Sequence, residues 1–398
     1  MQMTSKPKIL IAGAGVAGSS LAIRLAQRGF RVTLVEREKF PRHKLCGEFV
    51  SPEALLHFQE LGVLDKMLAI GGDRIVETVF YSTRGRSVSV PSGWFAHGQS
   101  GALSISRAEM DLQLLREAKE LGVEVLEETS VSKLIVENSA VRGAKLKNGA
   151  GHIIETRADL FVDATGTSRI LAKQIERLDP HTKKAKTKFV AFKAHLKNAR
   201  IEPGVCEIYF FRGGYGGLSH VENGVTNCCF IIKAAVVREY GNDVEKVFRE
   251  VFLKNRRAHE AMATAEPVFD WLAVSIDGFG EKKLAPAANL VSVGDAAAFI
   301  DPFTGSGMLM AMESAEVLSA CIPDTEFSFA QITDKYGSAY RQKFGRRLAL
   351  CKLMRHASFL PSLAAAAIFV LRLNKTLRHL IAKHTRTAET NATHNFPL

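Results

Sequence analysis

Residues 8–36 contain the pattern that most restricts the fold. An apolar run over Lys8–Ala12 predicts a buried parallel strand, residues 19–28 predict a helix, and Arg31–Val35 predict a second strand. Residues 13–18 (GAGVAG) join the first strand to the helix and form the Gly-x-Gly-x-x-Gly turn of a β–α–β unit. Such a turn brings a pyrophosphate onto free N–H groups at the helix start, and Glu36 at the second strand's end can accept hydrogen bonds from a ribose. The sequence therefore predicts a dinucleotide site.

A second glycine-rich stretch follows another apolar run near the opposite end of the chain. Residues 289–293 predict a buried strand that ends in Gly-Asp, and residues 309–320 predict a helix. The connection between this strand and this helix contains Asp295, Pro302, Gly305 and Gly307. A carboxylate there can bind ribityl hydroxyls, and backbone N–H groups near the glycines can face the flavin edge where negative charge collects on reduction. This arrangement favours FAD as the dinucleotide.

The two motifs resemble those of FAD-dependent oxidoreductases of the p-hydroxybenzoate hydroxylase structural class, which includes geranylgeranyl reductases and flavin-dependent halogenases. Residues 294–297 (GDAA) and 302–307 (PFTGSG) match the GD motif of this class, and residues 104–107 (SISR) resemble the segment whose arginine contacts the FAD phosphate region. Residues 40–48 (FPRHKLCGE) resemble the K-x-C-G stretch of the prenyl reductases and the G-E-S turn of the halogenases. The resemblance covers residues 8–340 and implies FAD contacts from Gly13, Gly15, Val16, Ala17, Gly18, Glu36, Arg37, Arg107, Asp295, Pro302, Gly305 and Gly307.

Three departures from these families limit which reactions and residue roles the sequence favours. Residues 163–166 read DATG where many members have A-D-G, so Asp163 is as well explained by a buried strand end. The chain lacks the W-x-W-x-I-P signature of the halogenases, which makes halogenation an unfavoured reading. Residues 213–220 (GGYGGLSH) stand in place of the Y-x-W-x-F-P motif of the prenyl reductases, and their glycines predict a bend where the backbone comes close to another group.

The predicted fold is α/β: a Rossmann-like FAD-binding domain with an inserted antiparallel β-sheet substrate domain and a helical C-terminal segment. Alternating apolar and polar residues predict the antiparallel strands. We assign residues 1–74, 101–180 and 282–340 to the FAD-binding domain, residues 75–100 and 181–281 to the substrate domain, and residues 341–398 to a basic, helical cap.

Candidate catalytic residues come from the loop after the second strand and from the inserted sheet. By the resemblance, Cys46 and Glu48 would lie near the isoalloxazine ring, although a small buried apolar residue is the alternative explanation of Cys46. Tyr215 is a candidate substrate contact. No H-x-x-x-H or C-x-x-C pair occurs, so no metal site is predicted.

Two enzymatic hypotheses and one non-enzymatic hypothesis about the function remain open. The favoured one is a monooxygenase-type hydroxylase of an apolar aromatic or polyketide-like substrate. The second is an ene-reductase of the prenyl reductase kind, acting on a lipophilic substrate. A non-catalytic flavin-binding regulator is the third. Because there is no second Gly-x-Gly-x-x-Gly, NAD(P)H would dock transiently, or an external reductase would supply electrons.

The formal charge of +12 is concentrated at the C-terminal end. From residue 341 onward the chain has eleven lysines and arginines and one acidic residue, whereas the remainder is nearly balanced. Nucleic acid is therefore an unfavoured partner. A cytoplasmic protein is expected from the cysteine usage, without a transmembrane helix and with peripheral membrane contact through the basic segment as an open alternative to a plain cap.

Overall fold

A computed structural model of the chain describes residues 6–94, 101–178, 187–325 and 328–384. Parts of the predicted domain assignment, including residues 385–398 of the cap, lie outside the described residues. The strands are β1 (Lys8–Ala12), β2 (Arg31–Val35), β3 (Phe49–Val50), β4 (Asp73–Ile75), β5 (Glu77–Tyr81), β6 (Ser87–Pro91), β7 (Ala102–Ser104), β8 (Glu124–Leu126), β9 (Thr129–Glu137), β10 (Ala140–Asn148), β11 (Ile153–Thr156), β12 (Leu160–Asp163), β13 (Phe189–Lys197), β14 (Val205–Phe211), β15 (Gly214–His220), β16 (Thr226–Lys233), β17 (Glu266–Pro267), β18 (Leu272–Ile276), β19 (Gly280–Glu281), β20 (Leu290–Ser292) and β21 (Ala298–Phe299). The helices are α1 (Val16–Gln27), α2 (Pro52–Glu60), α3 (Leu64–Leu68), α4 (Arg107–Glu120), α5 (Ile170–Glu176), α6 (Ala234–Glu239), α7 (Val244–Glu250), α8 (Arg256–Ala261), α9 (Gly307–Cys321), α10 (Phe329–Ser358), α11 (Pro361–Leu373) and α12 (Lys375–His384).

A five-stranded parallel sheet carries the nucleotide-binding motifs, in the order β20–β12–β1–β2–β8. Alternate side chains of β1 point to opposite faces: Ile9 and Ile11 pack with helices α1, α4 and α9, while Leu10 packs with the antiparallel strands β9 and β10. Because the strands are parallel, the ends of β1, β2, β12 and β20 meet at one edge of the sheet. The glycine turn, Glu36, Asp163 and Asp295 therefore lie together along that edge.

An eight-stranded, mostly antiparallel sheet forms the second layer, with β5, β6 and β13 to β18 as its members. One of its faces packs on α6, α7 and α8, and the other packs on α11. These observations confirm the predicted fold class.

Residues 214–220 correct one prediction, since they form the regular strand β15 where a bend was expected. The glycines there have a steric explanation. A Cβ on Gly216 would lie 2.3 Å from the Cβ of Phe230, and one on Gly217 would lie 2.9 Å from the carbonyl oxygen of Glu207. The strand fits between its neighbours only without those side chains.

Helix α10 continues unbroken through residues 340 and 341, where the boundary of the cap is predicted, and the domain assignment itself stays a prediction. Helix α10 ends at Ser358. A short connection at Phe359 and Leu360 follows, and Pro361 begins α11. Among the described residues, no helix combines the length and apolar composition needed to cross a membrane.

Candidate functional site: a dinucleotide cradle continuous with an apolar cavity

The glycine-rich turn after β1 has the geometry of a phosphate cradle. Gly13 has φ +100°, and a Cβ on Gly18 would lie only 1.8 Å from the Gly13 carbonyl oxygen, so both positions require glycine. Around Gly15 the nearest atoms to such a Cβ are the guanidinium ends of Arg107 and Arg42, at 3.5 and 3.9 Å. One side of the turn therefore packs on protein backbone, and the other side faces the guanidinium groups of Arg107 and Arg42.

Glu36 is placed by the turn as the sequence predicted. Its carboxylate accepts a hydrogen bond from the backbone N–H of Ala14 at 2.9 Å and lies 3.3 Å from Arg42. Glu36 is buried at the end of β2 and lines the cavity. It can accept from a ribose there.

A group of cations faces the open side of the turn. Arg107 and Arg42 are both held by the buried carboxylate of Asp111, at 2.7 and 3.0 Å, and Lys44 and Arg37 line the same cavity. Burial, and then the charges of Arg42 and Arg107, lower the pKa of Lys44. Cations that repel one another in this way fit a site that receives an anion such as a diphosphate. From the sequence alone, Arg42 and Lys44 are as well explained by solvated charges as by flavin contacts, because a basic residue on a loop does not show what it faces.

The second motif closes the cradle from the other strand end. Gly294 has φ +60°, and its hypothetical Cβ would lie 2.7 Å from the Cβ of Ala17, so the GD turn packs directly on the start of α1. Asp295 lines the cavity, and burial raises its pKa to about 6. Gly305 has φ +61° just before α9. These residues fit FAD: the cations would hold its phosphates, and Asp295 would bind its ribityl chain.

Asp163 stabilises the backbone that follows β12. It is fully buried, and its carboxylate accepts hydrogen bonds from the backbone N–H groups of Thr165 at 3.0 Å and Ala172 at 2.8 Å. These bonds fix the loop that follows β12. The local geometry therefore agrees with the buried-strand-end explanation.

Glu48 lies in a buried ionic network that the sequence did not reveal. Its Oε2 is 2.7 Å from Nε2 of His195, while its Oε1 accepts from Nζ of Lys193 and from the backbone N–H of Arg107 at 2.7 Å. Burial by itself would raise the pKa of Glu48, but the hydrogen bond from His195 and the charge of Lys193 outweigh it and hold that pKa below its usual value. Glu48 thus connects the loop to β13 and to the start of α4, with φ +54°.

Cys46 lines the cavity beside the second motif. Its Sγ lies 4.0 Å from Sδ of Met308 in the first turn of α9 and accepts from the backbone N–H of Glu48 at 3.4 Å. Asn227 of β16 donates to the Cys46 carbonyl oxygen at 3.2 Å. The loop is therefore held between the two sheets, and a catalytic role for Cys46 or Glu48 stays a prediction.

The cradle opens into an apolar space, and the two form one cavity of about 820 Å³. Beyond the motifs, its walls are mainly aromatic and aliphatic side chains, including Phe80, Val88, Phe210, Ile276, Phe303 and Ile368. Tyr215, the predicted substrate contact, lines this part. Among the described residues, no cluster of histidine, cysteine, aspartate or glutamate could hold a metal ion.

Tyr215 places a phenol group in the wall of the apolar part. Its hydroxyl donates to Oδ1 of Asp301, which also accepts from the backbone N–H of Phe303 at 3.1 Å. The other carboxylate oxygen of Asp301 is buried without a hydrogen-bond partner among the described residues. Burial raises the pKa of both Tyr215 and Asp301. A phenol that lines the cavity is therefore hydrogen-bonded to a buried carboxyl group.

A pH effect on cofactor binding follows from Asp295. Only the ionised carboxylate accepts hydrogen bonds with both oxygens, so we expect FAD affinity to be constant near pH 8 and to fall as the pH is lowered through about 6. Asp295→Asn should weaken binding by about 10-fold or more and remove this pH dependence. FAD titrations of apoprotein measure both effects, with the exposed Asp65→Asn as control. A pH profile that persists in Asp295→Asn would contradict the assignment.

Comparison with known proteins supports the same cofactor. A family model described as an FAD binding domain matches residues 6–322. The digeranylgeranylglycerophospholipid reductase of Methanosarcina acetivorans is 27% identical over 365 residues, which are 87% of this chain and 84% of the relative. Squalene epoxidase 6 of Arabidopsis thaliana is 25% identical over 78% of this chain, which spans 60% of that relative.

The fold also matches that of solved structures. The myxobacterial chondrochloren halogenase CndH has a TM-score of 0.77 at 22% identity, over 96% of this chain and 91% of that protein. The motif-based resemblance is therefore confirmed, and the similar proteins include a reductase, an epoxidase and a halogenase.

Proposed function

The chain belongs to the family of FAD binding domains, and from this premise we propose that it is an FAD-dependent monooxygenase that hydroxylates an apolar aromatic or polyketide-like substrate. The observation that carries the proposal is the single cavity that joins the dinucleotide cradle to an aromatic and aliphatic chamber. A substrate in the chamber would lie against the reactive end of a cofactor in the cradle. Bound FAD supplies the redox chemistry, and NAD(P)H or an external reductase supplies the electrons.

Tyr215 and Asp301 provide the proton chemistry of this proposal. Since the Tyr215 hydroxyl donates its only proton to Asp301, it presents acceptor lone pairs to other partners. A substrate phenol that donates to Tyr215 can lose its proton through that hydroxyl towards Asp301, whose second oxygen has no partner among the described residues. Removing this proton makes an aromatic ring richer in electrons and more reactive towards an oxidant. The surrounding apolar walls exclude water from the reaction.

We expect Tyr215→Phe to lower kcat for a phenolic substrate by about 100-fold, with FAD binding unchanged, because it removes the proton acceptor and leaves the cradle intact. The matched control is Tyr209→Phe. Tyr209 is also buried and donates to a carboxylate, Glu207 at 2.5 Å, but it packs on the other face of the sheet. Steady-state kinetics with holoenzyme measure the difference. Equal kcat values for the two variants would remove Tyr215 from the reaction.

The second candidate function is double-bond reduction, and the position of Cys46 favours it. Cys46 lines the cavity next to the turn that precedes α9, and in the prenyl reductases that this loop resembles the equivalent cysteine lies by the substrate double bond. The relative from Methanosarcina acetivorans is named as a reductase of a geranylgeranylated lipid. In this case Cys46→Ser would lower the rate of reduction.

Product analysis separates the two candidate functions. Holoenzyme is supplied with NAD(P)H, isotopically labelled molecular oxygen, and either a panel of phenols or a panel of polyprenyl compounds. The monooxygenase proposal predicts a product that gains one labelled oxygen atom, with substrate-dependent oxygen consumption. A product that gains two hydrogen atoms without oxygen would replace it with the reductase. If neither NADH nor NADPH supports turnover, a separate flavin reductase is added and both substrate panels are repeated.

A further inference from the structure

Helix α11 is apolar around most of its circumference but is only partly covered. Ala364 and Ile368 are buried against the eight-stranded sheet, whereas Leu363, Phe369 and Leu373 are exposed, the last to 73%. A helix that is apolar all round is normally buried on every side. Of the fourteen large apolar side chains exposed among the described residues, eight lie between residues 353 and 381. The exposed apolar surface is therefore concentrated on this segment, and such a concentration marks an interaction site.

The same segment is strongly cationic. Arg372 and Lys375 are exposed at the junction of α11 and α12, and Lys352 is exposed near the end of α10. The sequence contains no acidic residue between Asp334 and Glu389. Apolar side chains beside exposed basic ones form the pattern of a helix that lies in the interface of an anionic bilayer.

The exposed segment also adjoins the opening of the cavity. Leu353, Leu380 and Ile381 line the cavity and are themselves exposed to solvent, so the apolar chamber is continuous with the outer surface of α10 and α12. On the inner side Ile368 and Leu371 of α11 form part of the chamber wall. A lipophilic molecule could therefore pass from this surface into the chamber along these apolar side chains, with Arg378 of α12 also lining the cavity.

We propose that the surface formed by the end of α10 with α11 and α12, here called the C-terminal surface, docks on an anionic lipid bilayer and that the cavity takes its substrate from that bilayer. This inference rests on the proposed function for the nature of the cavity, but the docking itself does not depend on turnover. A second copy of the chain fits the surface less well, because a two-fold contact would bring Arg372 and Lys375 against the same cations of the partner. The negative headgroups of a bilayer complement them.

Vesicle co-sedimentation of the yellow holoenzyme tests the docking. We expect binding to vesicles of phosphatidylcholine with phosphatidylglycerol, weaker binding to phosphatidylcholine alone, and loss of binding as salt is added. The charge variant Arg372→Gln/Lys375→Gln should weaken binding to the anionic vesicles by about five-fold per charge. Its matched control is Arg142→Gln/Lys147→Gln, two exposed cations on β10. Absence of wild-type binding at low salt overturns the proposal.

The apolar part is tested by Phe369→Ser/Leu373→Ser, which should reduce vesicle binding by at least about ten-fold. The matched control is Ile153→Ser/Ile154→Ser on β11, because these side chains are 61% and 62% exposed and so resemble Phe369 and Leu373 in exposure. If Phe369→Ser/Leu373→Ser binds vesicles as the wild type does, the docking surface lies elsewhere. A wild-type dimer that this variant converts to a monomer, without any lipid binding by either, assigns the surface to a second copy and overturns the proposal.

The two tryptophans report the orientation of docking. Trp94 lies against α12, with its ring 5.4 Å from the guanidinium carbon of Arg378 and 5.1 Å from the ring of His379. Trp271 packs with Phe248 on the opposite face of the eight-stranded sheet. Brominated phospholipids should therefore quench Trp94, measured in Trp271→Phe, and leave Trp271, measured in Trp94→Phe, unchanged. Quenching of Trp271 alone would overturn the orientation.

These measurements separate the docking from the proposed function. Protein that retains FAD but binds no vesicles overturns only the docking. Protein that binds vesicles but takes up no FAD overturns the proposed function and leaves the docking supported.

Discussion

Replacing Glu48 with glutamine is expected to lower the free energy of unfolding by about 3–5 kcal/mol, because it leaves the buried ammonium group of Lys193 without a countercharge. Lys193 is fully buried, and its other hydrogen bond goes to the Lys44 carbonyl oxygen at 3.0 Å. A neutral amide can accept a hydrogen bond but cannot balance this charge. Urea denaturation at pH 7 measures the loss.

A double-mutant cycle isolates the ion pair. Adding Lys193→Met to Glu48→Gln removes the unpaired charge and should recover part of the lost stability. The control is the exposed pair of Arg212 and Glu239, at 2.7 Å, where Glu239→Gln should cost less than about 1 kcal/mol. If Glu48→Gln costs no more than the control, the network contributes nothing to stability.

The pH dependence of this stabilisation has a fixed sign. The pKa of Glu48 is held below its usual value in the folded protein, so its contribution is fully present above the ordinary carboxyl pKa of 4.5 and is lost as the pH falls through the folded value. Glu48→Gln should therefore lose less stability on acidification than the wild type does.

Replacing Gly18 with alanine is expected to have the largest effect on the cofactor site. The new Cβ would lie 1.8 Å from the carbonyl oxygen of Gly13, so the first turn of α1 must move away from β1. We expect a loss of about 1–3 kcal/mol or more in unfolding free energy and a fall of at least about 100-fold in FAD affinity, because the N–H groups of the turn move with it.

Two other glycines separate folding from binding. At Gly15 a Cβ meets only flexible arginine ends at 3.5 Å or more, so Gly15→Ala should fold normally but block the approach of the pyrophosphate. At Gly345, in α10, nothing lies within 4 Å, and Gly345→Ala should change neither property. Thermal unfolding and FAD titration of the three variants test this order. Wild-type FAD affinity in Gly15→Ala would contradict the cradle assignment.

The nucleotide half of the site could be predicted from sequence because its geometry is local. The turn at residues 13–18 and the acidic residue at 36 belong to one β–α–β unit, and the steric need for glycine at Gly13 and Gly18 leaves a direct signal. The second motif, at residues 294–307, is equally local. Their meeting at one sheet edge follows from the parallel strands that carry them.

The other half depends on pairings between distant segments. Glu48 meets Lys193 and His195 across about 145 residues of chain, and no sequence spacing indicates such a contact. The strand at residues 214–220 was predicted as a bend because its glycines are explained only by Phe230 and Glu207 on the neighbouring strands. Likewise, a charge count located the basic segment but could not show that its apolar side chains are exposed next to the cavity.

The cofactor content of the purified protein shows whether the chain binds FAD. The cofactor is released from denatured protein, identified by mass and quantified against the chain, and apoprotein is then titrated with FAD. We expect a yellow protein with one FAD per chain and an apoprotein that binds FAD again at the same ratio. A colourless protein that cannot be reconstituted with FAD would contradict this expectation.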